Sequence, residues 1–259
     1  LLRPARWGVP RVKPRSGTLW SQAGNGADAR MLAYTVGDDR LWDTRLLPWD
    51  VLGSLGHVEG LRVSGLLSAS DHRALRAGLR AGLRAVRSGK LRIGARQEDV
   101  HTAVEEWLTR RLGATGQRLH TGRSRNDQIA CDLRLYLKAA LLEIHDSAAT
   151  LVQALTRFAA RHHGALWPGY THQRRAMPSS AGLWAAAFAE GILDTLESLP
   201  ALWARLDRCP LGSAAGYGVP LSLDRRAAAR ALGFAAPEHN VATVQNGRGK
   251  LEAAVLAWC

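Results

Sequence analysis

Apolar residues in this chain return at intervals of three and four, and that spacing predicts a succession of helices. Leu47, Val51, Leu55 and Val58 form one stripe within residues 43–65, which Gly65 is placed to close. Leu75, Leu79 and Leu83 form another within 71–86, with Ser68 or Ser70 available as its cap. Residues 99–112 read as a shorter helix before a turn at 113–116. The clearest pattern spans 126–163. There Ile129, Leu133, Leu137, Leu141, Ile144, Ala148, Leu151, Leu155 and Phe158 share one face of a single amphipathic helix. At about 1.5 Å per residue such a helix runs roughly 55 Å. His162 and His163 suit the negative end of its dipole and Gly164 its stop. Pro168–Gly169 predicts a turn, and 167–178 a loop between rigid helices. A second long helix is expected over 180–207, kinked or split by Pro200. A glycine-rich loop (212–218), a helix over 223–232 and a last helix from about Ala242 complete the pattern.

Helices this long leave apolar stripes that one thin bundle cannot cover, so the expected fold is all-α and oligomeric. Its expected parts are a small N-terminal helical domain over 19–120 and an incomplete central bundle over 121–259. Residues 1–18 mix proline with basic residues without periodicity and read as a disordered or non-native leader; they lack the uninterrupted apolar stretch of a signal peptide. The first residue is not Met, and Cys259 falls inside a helical pattern, so the chain is expected to be truncated.

Composition narrows the function. A hydrophobic content of 46% is enough for a sizeable core, and no charge-free apolar run has the length of about 18 residues that a membrane span needs. Cys131, Cys209 and Cys259 are too widely spaced for a disulfide framework or a zinc site, which points to a reducing, cytoplasmic setting. Thirty-five basic against 22 acidic residues give a net charge of +13, which suits either nucleic acid or an anionic small molecule. The arginines are scattered through Ala-rich helices and do not alternate with aromatics as a base-stacking surface does. An anionic small molecule is therefore the expected partner, with neither nucleic acid nor membrane.

Three polar segments sit at the predicted helix ends. His120-Thr-Gly-Arg-Ser-Arg-Asn-Asp-Gln128 opens the longest helix, where free backbone N–H groups favour carboxylates and Arg123 and Arg125 can add bidentate contacts. Capping accounts for one of Ser124, Asn126 and Asp127, but not for the whole string. Trp167–Pro178 carries Thr171 and His172. The run Glu98-Asp-Val-His-Thr-Ala-Val-Glu105 leads into a helix through Asp99 and His101, and acids there also complement the dipole.

The string HTGRSRNDQ followed by DLRLYLK resembles the signature of the argininosuccinate lyase family, within the fumarase/aspartase superfamily. Residues 98–112, 168–178 and 209–225 resemble further family segments in the same order, and Asp43 and Asp50 match its paired acids. The resemblance covers about residues 19–259. It implies β-elimination of argininosuccinate to arginine and fumarate in a cytoplasmic homotetramer, without a metal or organic cofactor. It implies that Ser124, Arg125, Asn126, Arg123, His101, Asp99, Asp43 and Arg175 bind substrate, that Thr171 contacts it, and that His172 moves a proton. Asp39 stands where the family has Ser, Arg174 where it has Gln, and Gln173 where it has an apolar residue. The family's SDRD segment is here Asn246-Gly-Arg-Gly, which keeps only Arg248. The GSSxMPxKxNP loop, which carries the serine assigned as base, does not occur, so the chain alone is expected to be inactive. Competing readings are another lyase of the superfamily, a silent crystallin-like structural homologue, and a basic nucleic-acid-binding protein.

Overall fold

The computed structural model describes residues 29–94 and 97–259; the leader expected over 1–18 lies outside them. Its helices are α1 (Ala29–Val36), α2 (Asp39–Asp43), α3 (Leu47–Val63), α4 (Ala69–Arg87), α5 (Val100–Leu112), α6 (Ala114–Gln117), α7 (Arg125–Arg161), α8 (Ala181–Glu197), α9 (Leu199–Leu206), α10 (Arg225–Ala231), α11 (Val241–Asn246) and α12 (Lys250–Trp258). The strands pair in two small sheets. In one, β1 (Leu166–Thr171) is antiparallel to β2 (Arg174–Ser180); in the other, β3 (Arg208–Cys209) is parallel to β4 (Ala236–Pro237). The fold is of the all-α class, as the spacing predicts. No helix among the described residues is long and apolar enough to cross a membrane.

Helix α3 is the centre of the first core. It is buried on nearly every side, so its inward face includes Asp50, Ser54 and His57 as well as Val51, Val58 and Leu61. Helix α4 begins at Ser68, whose Oγ accepts from the Asp71 amide at 3.0 Å, and α5 begins at Asp99. Leu75 and Leu79 from α4 and Val104 and Leu108 from α5 close the cluster, and Ile129, Leu133 and Tyr136 of α7 pack onto it. A second cluster joins Cys131 of α7 to Cys209, Leu211, Ala228, Ala229 and Phe234. A third joins Leu141 to Leu202, Leu206 and Val255.

Beyond Leu141 the cover on α7 is incomplete. Leu142, Ile144, Leu151 and Phe158 are exposed, as are Leu183, Trp184, Phe188 and Leu193 on α8. Pro200 falls in the first turn of α9, where its missing N–H costs nothing, so the long helix expected over 180–207 is split there. The single last helix expected from Ala242 is instead two, because Gly249 takes φ +81° between them.

The loop expected over 167–178 is a β-hairpin. Pro168 and Gly169 lie within its first strand, at a bulge between Pro168 and Tyr170, and the turn falls at His172–Gln173. Both turn residues have positive φ, 48° and 63°, as a two-residue hairpin connection with right-handed strand twist requires. The alternation that marks a half-buried strand is missing because most of the hairpin is exposed on both faces.

Gly182 fixes the approach of α8 to α7. A Cβ there would lie 2.6 Å from His163 Cα and 2.8 Å from the Ala159 carbonyl oxygen, both backbone atoms that cannot rotate away. Gly182→Ala is expected to cost about 1–3 kcal/mol through this overpacking, read as a lower unfolding temperature. An unchanged transition would contradict the close approach.

Candidate active site

The longest helix starts at a reciprocal cap. Ser124 Oγ accepts from the Asn126 amide at 3.3 Å, and Asp127 Oδ1 accepts from the Ser124 amide at 2.9 Å. The other oxygen of Asp127 accepts from the amides of Gly212 (2.9 Å) and Ala214 (3.0 Å), so the glycine-rich loop is tied to the start of α7. Burial raises the Asp127 pKa, against the pull of these three amides and of Arg123.

Arg125 turns toward α5. Its NH1 lies 2.7 Å from Glu98 Oε2 and 2.8 Å from Asp99 Oδ2, and its NH2 donates to Thr102 Oγ1 at 2.9 Å. Asp99 also caps α5, accepting from the Thr102 amide at 2.8 Å. Asp43 accepts from the Val100 amide at 3.2 Å. Its pKa is raised, chiefly by burial and further by the nearby charges of Asp99 and Asp39. Asn126 Oδ1 faces the Arg248 guanidinium at 3.5 Å. Thus Asp43, Asp99, Ser124, Arg125 and Asn126 meet where α5 and α7 begin.

Two residues expected to bind substrate are buried in this chain. Arg123 and His101 have side chains 1% and 4% exposed and point into the core between α3, α5 and α7. Arg123 donates to Ser54 Oγ at 2.8 Å. His101 Nδ1 lies 2.7 Å from Asp50 Oδ1 and 3.8 Å from Asp132 Oδ2, and Gln128 donates to Asp50 at 3.3 Å. The reason is helical periodicity: α7 turns Gln128 and Asp132 inward on a polar face, and their charge and hydrogen-bonding capacity must be met inside.

Burial opposes charge in this network, but for the Asp50–His101 pair it is outweighed. The His101 charge, its hydrogen bond and Arg123 hold Asp50 below its ordinary pKa, and Asp50 holds His101 above its own. Burial and the negative Asp50 push the Asp132 pKa well above its ordinary value, which favours its protonated form. His57, fully buried beside Arg123, is lowered to about 3 and stays neutral. Its Nε2 is 3.0 Å from the Thr121 carbonyl oxygen and donates to it. Ligand-type atoms of Asp50, His101 and Asp132 lie within 4.8 Å of one another. The 2.7 Å hydrogen bond and the Arg123 charge favour an ion-pair network over a cation cradle, although Asp50 Oδ2, Asp132 Oδ2 and Gln128 Oε1 are buried without a hydrogen-bond partner.

Thr171, His172 and Arg175 lie elsewhere, together at the tip of the exposed hairpin, with Thr171 opposite Arg174 and Tyr170 opposite Arg175. The hairpin leaves the C-terminal end of α7, whereas Arg125 and Asn126 are at its N-terminal end. Thirty-seven helical residues span about 55 Å at 1.5 Å each. A seven-residue strand reaches back only about 23 Å at 3.3 Å each. His172 therefore cannot meet Asn126 of the same chain.

Residues 44–251 match a protein-family model described as Lyase. The chain belongs to this lyase family. Among curated members it is 45% identical over 239 residues to the argininosuccinate lyase of Sorangium cellulosum, covering 92% of this chain and 55% of that protein. It is 38% identical to that of Thermotoga neapolitana, covering 92% of this chain and 60% of the relative. The chain thus spans little more than half the length of these relatives. Its fold resembles that of an EDDS lyase crystallised with formate, with a TM-score of 0.71 at 26% identity over 90% of this chain and 48% of that one. Within the family frame, sequence reasoning passed over Ser54 and Asp132, and quoted Glu98 and Gln128 without assigning them a role. The available signal was Gln128 and Asp132 at i and i+4, a polar pair on the face away from the apolar stripe.

Proposed function

We propose that the protein is an argininosuccinate lyase, splitting argininosuccinate into arginine and fumarate by β-elimination, and that its site is assembled from more than one copy of the chain. The single observation carrying the reading is that the HTGRSRNDQ string opens a long helix where Asp43, Asp99, Arg125 and Asn126 converge. The relatives named argininosuccinate lyase support the same reaction. In this reading the α7 start binds substrate carboxylates, with Asn126 donating directly. Arg125, already held by Glu98 and Asp99, is a pinned positive charge behind it. Losing a proton from the carbon next to a carboxylate builds charge on that carboxylate, which such fixed donors stabilise. His172 handles a proton from the exposed hairpin tip of a neighbouring copy, and Thr171 and Arg175 contact substrate beside it. Because the two half-sites lie at opposite ends of α7, a homotetramer satisfies the geometry, and the exposed apolar faces of α7 and α8 are its buried contacts. The reaction needs neither metal nor organic cofactor, and a cytoplasmic setting suits it.

The test is fumarate release from argininosuccinate, followed by ultraviolet absorbance. This chain spans 55% of the Sorangium relative, so it is expected to be silent alone and to turn over when the C-terminal half of that relative is added. Release of fumarate from adenylosuccinate instead would overturn the substrate assignment. In the active assembly, Asn126→Ala chains mixed with His172→Asn chains are expected to regain activity that neither has alone. Mixing restores sites in which both segments are intact, so no recovery would place the site within one chain.

A further inference from the structure

Helices α3, α4 and α10 leave an open groove of about 500 Å³ between them, along the second half of α3. Its floor is apolar, with Leu55 and Val63 of α3 and Ala227 of α10. Its rim carries Arg76 and Arg80 of α4 and Arg230 of α10 against a single acid, Glu59. That acid is already engaged, by Arg76 Nε at 3.1 Å and by His72 Nε2 at 3.1 Å. Arg230 also edges an adjoining groove of about 440 Å³, where Arg226 joins it beside Phe234 and Pro237. There too the acid is engaged, since Glu238 Oε2 pairs with Arg134 at 3.0 Å. Among the described residues, Arg80, Arg226 and Arg230 form no ion pair. All three are exposed. Arg226 and Arg230 stand four apart on one helix, and Arg76 and Arg80 four apart on the other, a spacing at which like charges repel. The negative end of the α10 dipole accounts for Arg230, in the last turn, but not for Arg226 or Arg80. None of these residues is among those that meet at the starts of α5 and α7.

We propose that this double groove binds the diphosphate group of a small molecule, apart from the catalytic site. Guanidinium forks match phosphate oxygens two at a time. A single phosphate group carries about −1.5 to −2 charges, less than three unpaired guanidiniums call for, and two linked phosphates come closer to balance. Arg230 is common to both grooves, so a diphosphate seated on it is flanked by Arg80 in one groove and Arg226 in the other. The apolar floor accepts an uncharged organic body, and each groove has the size of an ordinary small-molecule site. Nucleic acid fits less well, because Phe234 is buried and the grooves offer no exposed ring on which a base can stack.

The test titrates the full chain calorimetrically with inorganic pyrophosphate, inorganic phosphate and ADP, in magnesium-free buffer at about 0.15 M salt. Pyrophosphate is expected to bind once per chain and more tightly than phosphate. Arg80→Ala and Arg230→Ala are each expected to weaken it roughly tenfold or more. Both positions are exposed and helical, where alanine is well tolerated, and circular dichroism checks the fold. Arg157→Ala removes the same charge from an exposed position on the distal part of α7 and is expected to change nothing. Tighter binding of ADP than of pyrophosphate would place an organic body on the floor, and equal binding would make the diphosphate itself the ligand. Phenylglyoxal labelling with peptide mapping locates the site independently: pyrophosphate is expected to shield Arg80 and Arg230. The proposal fails if pyrophosphate does not bind, or if Arg157→Ala weakens it as much as the groove variants do. Shielding confined to Arg125 would put the anion at the start of α7 and would also overturn it. So would a DNA duplex that binds more tightly than pyrophosphate and is lost in the same variants.

Discussion

Replacing His172 by asparagine in the active assembly is expected to lower kcat by roughly 10²–10⁴-fold, the usual worth of a positioned proton-transfer group. KM is expected to change little, because proton transfer stabilises the transition state far more than the bound substrate. Asparagine keeps the size and a hydrogen-bonding amide but cannot change its charge between pH 5 and 8. It also tolerates the left-handed backbone that His172 adopts at φ 48°, so the hairpin turn survives. A loss of activity can therefore be assigned to the missing proton carrier rather than to a collapsed strand pair. Steady-state kinetics and circular dichroism on the same sample check this. Full activity in a folded His172→Asn protein would remove His172 from the mechanism.

The fold was legible in the chain to the extent that helices carry their own signals. The stripe from Ile129 to Phe158 gives α7 almost to the residue, and Ser68, Asp99 and Pro200 mark where helices start or divide. The hairpin was hidden because a strand pair exposed on both faces has no period-two pattern to read. The α7 stripe also misleads in part. Its distal residues Ile144, Leu151 and Phe158 stay exposed, while the residues α7 buries near its start are largely polar. Hydrophobic periodicity marks surface that must be covered, but within one chain it does not say by what. The same limit applies to the site. The string around Arg125 is visible as chemistry, but its distance from His172 follows only from the length of the helix between them. The burial of Arg123 and His101 depends on Asp50, Ser54 and Asp132, which are far away in sequence.

Asp50→Asn is expected to destabilise the fold by about 3–5 kcal/mol near pH 6, the cost of breaking a buried ion pair and stranding one partner. The pH dependence follows from three shifts. Asp50 lies below its ordinary value of 3.8, so its contribution is present above that pH and is lost as pH falls through the folded-state value. His101 lies above its ordinary value of 6.5, so its contribution is complete below that pH and is lost as pH rises through the folded-state value. The pair therefore contributes fully between about pH 4 and 6.5. Asp132 acts in the opposite direction to Asp50. With its folded-state pKa well above 3.8, it must be protonated on folding, and stability falls as pH rises from that value. Urea unfolding at pH 6 and pH 8 separates the terms. The deficit of Asp50→Asn is expected to be largest at pH 6 and smaller at pH 8, where the stranded His101 is neutral in both folded and unfolded states of the variant. Asp132→Asn keeps the size of the side chain without needing a proton on folding, so it is expected to flatten the loss of stability between pH 5 and 8. If both variants shift stability by the same amount at every pH, the polar core is held by neutral hydrogen bonds, and the charges assigned to Asp50 and His101 are wrong.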